Sequence, residues 1–599
     1  MADHELTPAA ARLERRADGA LYLHNPVPLA AHPPRVCDTI LTWSQRTPDA
    51  TALADRRGDP RGWRRLTYAA FADTTARLGQ ALLDAGVTSD RPLMLISENR
   101  IEAAQASYAA YRAGVPVAPL TPAYSTGSDP SRLAAIVKTL RPGLVIVDDL
   151  SVHGPSLAAT LGTSTPIVSM IGAPGRGFAD LLKASPGPTL AAAEAAVSGD
   201  TVAKILFTSG STGAPKGAVN THRMLASNAQ AVRQSWPFTA QEPPVVSDWL
   251  PWNHTFGGNF VLNMVLTTGG AFFVDDGKPL PGGILRTVEN AADVRPTIHL
   301  NTPRGLDMVA RVLNDDPALA QSFFARLRLV FFASSGLPAR IREDWKALIA
   351  RYASRPVSFC SAWGTTETAP LATVLNFDAP EINNIGVPAA GTTLKLAPVD
   401  GRYELRVQGP NVTPGYLGQP EQTAAAFDDE GFFRTGDSGR LAAPDRPEAG
   451  VLIEGRLAED FKLSSGVWVN VSGLRARLLE GFGPIVREVV ISGPHRDELA
   501  ALIFLDPEQC RRLTGDAGEW LELSRHELIQ AQVQAAIDRH NADNGASSRR
   551  IVRQLILTRP LDPAAGELTE KGTVNQRVVL AREAAACDAL HAAVAATAS

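Results

Sequence analysis

Short aliphatic runs alternate with Ala-rich segments over about the first 380 residues, and this alternation limits the possible folds more than any other feature. Brief apolar runs between turn residues predict buried strands, and apolar residues at helical spacing predict amphipathic helices. The alternation therefore predicts α/β layers with a largely parallel sheet, whose ligands bind where strands end. The strand runs are "PLMLI", "GLVIVDD", "KILFTS", "TIHLNT" and "LRLVFFASS", and "TYAAFADTTARLGQALLDAGV" is one of the helical segments.

The pattern changes after about residue 380. "TLKLAP", "YELRVQG" and "GVLIEGR" are short alternating strands separated by Gly, Pro and Asp, which predicts a small antiparallel β subdomain. A chain of 599 residues is too long for one hydrophobic core. We expect an α/β fold with a large N-terminal domain at 1–455, made of stacked α/β layers and the β subdomain, followed by a small α+β domain at 456–599.

Composition excludes several classes of partner. A net charge of −4 with mixed signs provides no basic field for nucleic acid. The four cysteines are far apart, which predicts reduced thiols in place of a disulfide framework. The N-terminus lacks the apolar core of a signal peptide, and no apolar run reaches the length of a membrane span. We expect a cytoplasmic protein, either a monomer or a homodimer.

The segment "ILFTSGSTGAPKG", from Ile205 to Gly217, predicts an anion-binding loop after a strand. Its small hydroxyl and glycine residues offer backbone N–H groups and hydroxyls to phosphate oxygens. The P-loop of NTPases is excluded, because Pro215 stands where that motif needs glycine and Gly217 where it needs Ser or Thr. The segment is a phosphate loop of another kind.

Further segments place polar residues at strand ends or near the C-terminus. We expect "PWNHTFGGNF" to be an aromatic-rich strand, and "FFRTGDSGR" to end a strand at Asp437. The segments are "LPWNHTFGGN" with His254, "FFASSGLPAR", "SAWGTTETAP", "FFRTGDSGR", "GRLAEDFKLSSG" with Arg456 and Lys462, and "GELTEKGTVNQR" with Lys571.

In this order and spacing, the segments resemble the adenylate-forming superfamily of acyl-CoA synthetases, peptide-synthetase adenylation domains and luciferases. "DWLPWNHTFGGN", "GPNVTPGY", "RLAEDFKLSSGVWV" and "KGTVNQR" most resemble the feruloyl-CoA synthetases. The resemblance runs from about residue 15 to 580. It implies an AMP-forming ligase that uses ATP, Mg²⁺ and coenzyme A, with a small aromatic carboxylic acid such as ferulate as substrate.

The resemblance also implies roles for residues. Trp363 stacks on adenine, Asp437 binds the ribose hydroxyls, Glu367 ligates Mg²⁺, and Lys571 bridges the substrate carboxylate and the α-phosphate. The catalytic residues are Lys571, His254, Thr366 and Glu367. The ATP and AMP site comprises Thr208, Ser209, Gly210, Ser211, Thr212, Gly213, Lys216, Ser335, Gly336, Trp363, Gly364, Thr365, Asp437 and Arg456. The acyl pocket comprises Trp252, Phe256, Phe260 and Leu371.

In the resembled family the small C-terminal domain rotates between adenylation of the acid and formation of the thioester. The implied hinge is Ala458, where the family more often has Asp or Lys, and a hinge needs only to absorb a backbone change. The rotation removes Lys571 and presents a face for thioester formation, comprising Lys462, Ser464, Ser465 and Gly466.

Three alternatives remain open. In the first, the acid is a benzoate or another aromatic acid. In the second, the chain activates an amino acid for a carrier protein. In the third, it is a nucleotide-binding regulator without catalysis. The second needs an acidic residue for the substrate ammonium, and Asp248 is a candidate. It also needs a carrier domain, and we expect none in the 28 residues after Lys571. The third conflicts with the joint presence of Lys216, Glu367, Asp437 and Lys571.

Overall fold

The computed structural model describes residues 6–56, 62–127, 129–162, 165–172, 177–209, 215–280, 282–334, 336–516, 518–562, 565–568 and 574–595. The backbone divides into two compact units. The large unit comprises Met1–Pro398, Leu405–Thr435 and Leu441–Leu452. The small unit comprises Val399–Glu404, Gly436–Arg440 and Ile453–Ser599.

The strands of the large unit form parallel and mixed sheets. They are β1 (Arg12–Arg15), β2 (Leu21–His24), β3 (Thr51–Asp55), β4 (Arg64–Thr67), β5 (Leu93–Ile96), β6 (Val117–Leu120), β7 (Leu144–Asp149), β8 (Ile167–Ile171), β9 (Val202–Ser209), β10 (Pro215–Thr221), β11 (Val245–Asp248), β12 (Ala271–Val274), β13 (Ile298–Asn301), β14 (Leu329–Phe332), β15 (Ser358–Gly364), β16 (Leu371–Leu375) and β17 (Val387–Pro388). Four strands pass from one unit into the other along the chain, namely β18 (Thr393–Val399), β19 (Arg402–Gln408), β20 (Phe433–Leu441) and β21 (Val451–Arg456).

The predicted parallel pairing is confirmed. One sheet has the order β10-β9-β6-β5-β7-β8, in which β9, β6, β5, β7 and β8 run parallel and β10 antiparallel to β9. A second has the order β13-β14-β15-β16-β17, with β13, β14 and β15 parallel. The predicted strand runs are buried, as parallel strands covered on both faces require.

The helices of the large unit cover these sheets. They are α1 (Asp38–Arg46), α2 (Tyr68–Asp84), α3 (Ile101–Arg112), α4 (Ala123–Thr126), α5 (Ser131–Leu140), α6 (Leu150–Leu161), α7 (Phe178–Leu181), α8 (Pro188–Ala196), α9 (His222–Ser235), α10 (Leu262–Thr267), α11 (Gly283–Val294), α12 (Pro303–Asp315), α13 (Pro317–Phe324), α14 (Ala339–Tyr352) and α15 (Pro420–Ala425). The predicted helix α2 begins at its cap Thr67, whose hydroxyl accepts from the Ala70 N–H at 3.2 Å. No helix among the described residues has the length and apolarity to cross a membrane.

The small unit is an α+β domain with its own core. Its further elements are β22 (Phe461–Lys462), β23 (Trp468–Val469), α16 (Val471–Phe482), β24 (Val486–Ser492), β25 (Leu499–Leu505), α17 (Pro507–Thr514), α18 (Trp520–Arg525), α19 (Glu527–Asp543), β26 (Ile551–Ile556), α20 (Gln576–Arg582) and α21 (Ala584–Ala595). Strand β25 pairs antiparallel with β24 and parallel with β26. Apolar side chains of α16 and α19 pack on this sheet. The expected fold class is confirmed.

Two local predictions are wrong. "PWNHTFGGNF" is not a strand, because Thr255–Val261 forms a π-helix. A Cβ on Gly257 would lie 2.3 Å from the carbonyl oxygen of Leu250, and one on Gly258 2.2 Å from that of Trp252. The two glycines therefore let this helix pack directly on the preceding backbone, which alternation of side chains does not reveal.

The second wrong prediction concerns Asp437, which does not end its strand. Strand β20 continues to Leu441. Beyond Asp437 the small unit supplies partners for the continuing strand: the Ser438 hydroxyl donates to the Gly455 carbonyl at 3.2 Å, and Arg440 pairs with Glu454 at 3.2 Å. Strand β20 neighbours β21 in its sheet, and this pairing continues the strand past the carboxylate.

Candidate active site

The predicted phosphate loop connects two paired strands of the large unit. Thr208 lies opposite Lys216 in the antiparallel pair of β9 and β10, and the backbone of Ser209 lies opposite Pro215. The pairing brings the first and last polar residues of the segment onto neighbouring strands. Gly210, Ser211, Thr212 and Gly213, and the side chain of Ser209, lie outside the described residues.

Lys216 and Glu367 meet at one tyrosine. The Lys216 ammonium lies 5.5 Å from the centroid of the Tyr416 ring, and the Tyr416 hydroxyl donates to Glu367 Oε1 at 3.0 Å. A cation on the ring face and a carboxylate on the hydroxyl hold the phenol between opposite charges. The structure thus joins the phosphate-loop lysine to the proposed Mg²⁺ ligand through a residue that motif roles did not assign.

The segment from Trp363 to Thr366 contains a bulge at the end of β15. The register with β16 shifts between Trp363 and Gly364. A Cβ on Gly364 would lie 1.6 Å from the Pro370 carbonyl oxygen, so only glycine fits there. Trp363 is 9% exposed, and Thr366 is buried at the start of a short 3₁₀ turn. The Thr365 N–H donates to the Thr368 hydroxyl at 2.8 Å, which closes the turn.

Buried amides anchor this segment on both sides. Asn228 of α9 and Asn411 each donate to the Leu371 carbonyl, at 2.9 and 2.8 Å. The Thr413 N–H donates to the Glu367 carbonyl at 2.7 Å. Asn411 and Thr413 belong to "GPNVTPGY", which carried the family resemblance but no assigned role. They fix the backbone that presents Thr366 and Glu367.

His254 caps the N-terminus of the π-helix. Its ring Nδ1 accepts from the Phe256 N–H at 3.2 Å, which places the proton of a neutral imidazole on Nε2. The Gly258 N–H donates to the His254 carbonyl at 2.8 Å. The side chain is half-buried, and single-turn π-helices are frequent at functional sites.

The predicted acyl-pocket aromatics fall into two groups. Phe256 and Phe260 pack on Phe331, with ring centroids 5.8 and 4.9 Å away, and Phe260 also contacts Trp236 at 5.8 Å. Trp252 packs instead on Phe272. Leu371 is buried in the same hydrophobic core as these rings.

The turn that contains Ser335 and Gly336 is described only in part. Ser335 lies outside the described residues. A Cβ on Gly336 would approach the Ile382 carbonyl oxygen to 2.6 Å, so this turn also packs tightly on backbone.

In the small unit, Asp437 is buried and pairs with Arg456, whose Nε lies 2.9 Å from Asp437 Oδ1. The Arg456 side chain is 54% exposed, so the pair has one buried and one solvated member. Ala458 follows in an exposed turn, where the Glu459 N–H donates to the Arg456 carbonyl at 3.0 Å. An exposed turn of this kind can absorb a backbone change.

The residues predicted for the thioester face lie on an exposed hairpin of the small unit. Lys462 stands opposite Trp468 in the pair of β22 and β23, and its ammonium lies 5.0 Å from that indole ring. Ser464, Ser465 and Gly466 form the exposed tip, where Gly466 has a φ of 81°. Lys571 lies outside the described residues.

Comparisons with known proteins agree with this architecture. The AMP-binding enzyme family matches residues 40–417, and the AMP-binding enzyme C-terminal domain matches residues 461–595. The anthranilate CoA ligase AuaEII, solved in complex with anthranoyl-AMP, superposes with a TM-score of 0.70 at 20% identity. That superposition covers 95% of this chain and 99% of the ligase, and at this identity it shows the fold alone.

Two curated relatives differ in how much of their length is matched. A feruloyl-CoA synthase from an Amycolatopsis species is 28% identical over 408 residues, which are 66% of this chain and 74% of that protein. A carboxylic acid reductase from Mycobacterium marinum is 31% identical over 316 residues, which are 50% of this chain and 26% of the reductase. The chain thus spans about a quarter of that reductase.

The family match covers more than half of the 599 residues, and the fold and the order of motifs agree with it. The chain belongs to the AMP-binding enzyme family, and the membership in the adenylate-forming superfamily predicted from its motifs is confirmed.

Proposed function

We propose that the protein is an AMP-forming carboxylate–CoA ligase that activates a hydroxycinnamate-type acid. The observation that carries the choice of acid is the aromatic cluster formed by Phe256 and Phe260, both on the π-helix that His254 caps, and Phe331 of β14. Aromatic side chains beside a few polar groups suit an aromatic acid. The similarity to a feruloyl-CoA synthase over 74% of its length supports the same choice.

The proposed reaction has two steps. A carboxylate oxygen attacks the α-phosphorus of ATP, and pyrophosphate leaves, which gives an acyl-adenylate. The thiol of coenzyme A then attacks the acyl carbon, and AMP leaves with the electron pair of the broken C–O bond. The first step brings two anions together, so it needs positive charge and hydrogen-bond donors held in place beforehand.

The large unit supplies the groups for the first step. Lys216 and the loop from Thr208 hold the β- and γ-phosphates, Trp363 stacks on adenine, and Thr366 contacts the α-phosphate. The buried anchors of Asn228 and Asn411 fit this role, because a site that stabilises developing charge must not reorganise.

Glu367 suits a Mg²⁺ ion shared with ATP. Its carboxylate is a hard oxygen donor that Tyr416 orients. The described residues contain no cluster of three or more His, Cys, Asp or Glu side chains that could hold a metal alone. Phosphate oxygens of ATP and water would supply further ligands, and the bound cation would neutralise charge on the phosphates.

The small unit supplies the remaining groups. Asp437 binds the ribose hydroxyls with Arg456 beside it, and Lys571 bridges the carboxylate and the α-phosphate. A backbone change at Ala458 then replaces Lys571 with the face that contains Lys462, Ser464, Ser465 and Gly466.

The experiment that tests this function is a panel of acids assayed for CoA-dependent AMP formation. Hydroxycinnamates should give higher kcat/KM than benzoates of matching substitution and than C8–C16 fatty acids. A fatty acid at the top of the panel would overturn the aromatic assignment. AMP release that requires ATP and an acid but not coenzyme A would overturn the CoA ligase.

A second candidate is an adenylating enzyme that passes its acyl group to a carrier protein, as the resemblance to peptide-synthetase adenylation domains implies. An amino-acid substrate is disfavoured by Asp248, which is 1% exposed. Burial raises the pKa of Asp248 well above its usual range, which disfavours the charged carboxylate that a substrate ammonium would need. Release of pyrophosphate with an aryl acid, without formation of an acyl-CoA from added coenzyme A, would distinguish this candidate from the CoA ligase.

A further inference from the structure

A lysine is buried in the core beside the proposed site. Lys204 lies on β9, the strand that leads into the phosphate loop, and is 3% exposed. Its ammonium donates to Asn259 Oδ1 at 2.9 Å. Within the described part of the chain, no carboxylate forms a salt bridge with it. A buried charge held by one neutral amide costs stability, so packing alone does not account for this lysine.

The Asn259 amide uses both of its donor hydrogens and accepts one hydrogen bond. Its Oδ1 accepts from Lys204, and its Nδ2 donates to Asn220 Oδ1 at 2.6 Å and to the Thr255 hydroxyl at 3.1 Å. An ammonium only donates, so a flipped amide would set an NH₂ group against it. Lys204 therefore selects one of the two amide orientations of Asn259.

Strand register places Asn220 to continue the chain of bonds. Asn220 of β10 lies directly opposite Lys204 of β9, so both side chains leave the same face of the sheet. The Asn220 amide donates to the Thr366 carbonyl at 3.4 Å. Lys204, Asn259 and Asn220 thus connect the π-helix after His254 to the segment that presents Thr366 and Glu367. We name these three residues the amide relay.

We propose that Lys204 is a positioning residue for adenylation. It acts through Asn259 to hold the π-helix and the Thr366–Glu367 segment in fixed positions relative to each other. This inference rests on the proposed function, because its rate assay measures acid-dependent adenylation. The hydrogen bond of Lys204 goes to Asn259 and not to a residue assigned to ATP or to the acid, although Lys204 shares a small cavity with Trp252 of the predicted acyl pocket. Its effect should therefore pass through the amide relay and change the rate of acyl-adenylate formation for every acid in the same proportion.

The test is a double-mutant cycle of Lys204→Met and Asn259→Leu, read by acid-dependent ATP–pyrophosphate exchange. Each single change should lower kcat for exchange by about 10- to 100-fold, with KM for ATP changed less than threefold, because misplacement of reacting groups costs rate. The double variant should be no slower than the slower single variant, because both remove the same connection. Multiplied losses, or an unchanged rate in Lys204→Met, would overturn the proposal.

Two controls separate positioning from general damage. Lys183→Met removes an exposed lysine and should leave exchange unchanged. Lys204→Met should keep or raise the melting temperature, because it removes a buried charge, and Lys204→Gln should recover part of the rate because it retains a donor. A rate loss in Lys204→Met that tracks a fall in melting temperature, with no recovery in Lys204→Gln, would overturn the positioning role.

A measurement without substrate distinguishes failure of this inference from failure of the proposed function. Hydrogen exchange of Lys204→Met should be faster at Thr255–Val261 and at Thr366–Thr368, while α2 keeps its protection. Unchanged protection in both segments would contradict the amide relay even if no acid in the panel were activated. Faster exchange there together with an inactive wild type would retain the relay and overturn the function.

Discussion

The two groups of proposed site residues are held in opposite ways. In the large unit, Thr366 and Glu367 sit on a turn whose carbonyls accept from Asn228, Asn411 and Thr413, with little exposed surface. In the small unit, the hairpin from Lys462 to Gly466 is exposed at nearly every position. A fixed turn suits a step that stabilises charge, and an exposed hairpin suits a face that must be presented at another time.

Two glycines test this contrast with the largest expected effect. Gly364→Ala should cost about 3 kcal/mol or more of stability and remove most adenylation activity, because its Cβ would collide with the Pro370 carbonyl. Gly466→Ala meets no atom within 4 Å and should cost only about 1 kcal/mol, from its positive φ.

Urea unfolding and pyrophosphate exchange of both glycine variants provide the measurement. Equal losses of stability and adenylation in Gly364→Ala and Gly466→Ala would erase the distinction between the fixed turn and the exposed hairpin.

Asp437 tests whether a buried carboxylate of the small unit serves ATP. Asp437→Ala should weaken ATP binding by about 1.5–3 kcal/mol, the range for hydrogen bonds to a charged group. The expected result is a raised KM for ATP with the order of acids in the panel unchanged. Asp437→Asn, which keeps the shape, is the matched variant. Unaltered ATP kinetics in both variants would remove Asp437 from the ribose site.

The last prediction in this comparison is a pH dependence of stability. Burial lowers the pKa of Lys204 to about 7, below its value in the unfolded chain. Between about pH 7 and 10 the unfolded chain binds more protons at this residue, so stability relative to Lys204→Met should rise with pH by at most about 1.4 kcal/mol per unit.

Unfolding free energies of wild type and Lys204→Met across this range check the sign. Glu98, Tyr108 and Tyr111 line the same small cavity and are retained in both proteins, so they cancel in the difference to first order. A difference that falls as pH rises would contradict a buried amine with a lowered pKa.

Several parts of the fold could be predicted from sequence because they depend on local pattern. The apolar runs of β5, β7, β13 and β14 are long enough to indicate buried parallel strands, and the spacing of α2 indicates an amphipathic helix. The family motifs likewise carried the fold class and the family, because six segments in order constrain topology more than any one does.

The π-helix and the amide relay could not be predicted from the same patterns. Gly257 and Gly258 pack on backbone carbonyls, a tertiary approach that leaves no mark on side-chain periodicity. In "AKILFTS" a lysine suggests a solvated strand end, and its partner Asn259 lies 55 residues away. Tyr416 was missed for the same reason, since its partner Glu367 is 49 residues distant.

The central claim is that adenylation and thioester formation use different, separately held groups. Single-turnover kinetics of each half-reaction in Lys571→Ala and Lys462→Ala test it most directly. Lys571→Ala should slow ATP-dependent adenylation by roughly 10²–10³, the cost of one positioned charge, while supplied acyl-adenylate and coenzyme A still form the thioester. Lys462→Ala should show the reverse bias. Equal damage to both half-reactions in Lys571→Ala would contradict the account, because one fixed arrangement would then serve both steps.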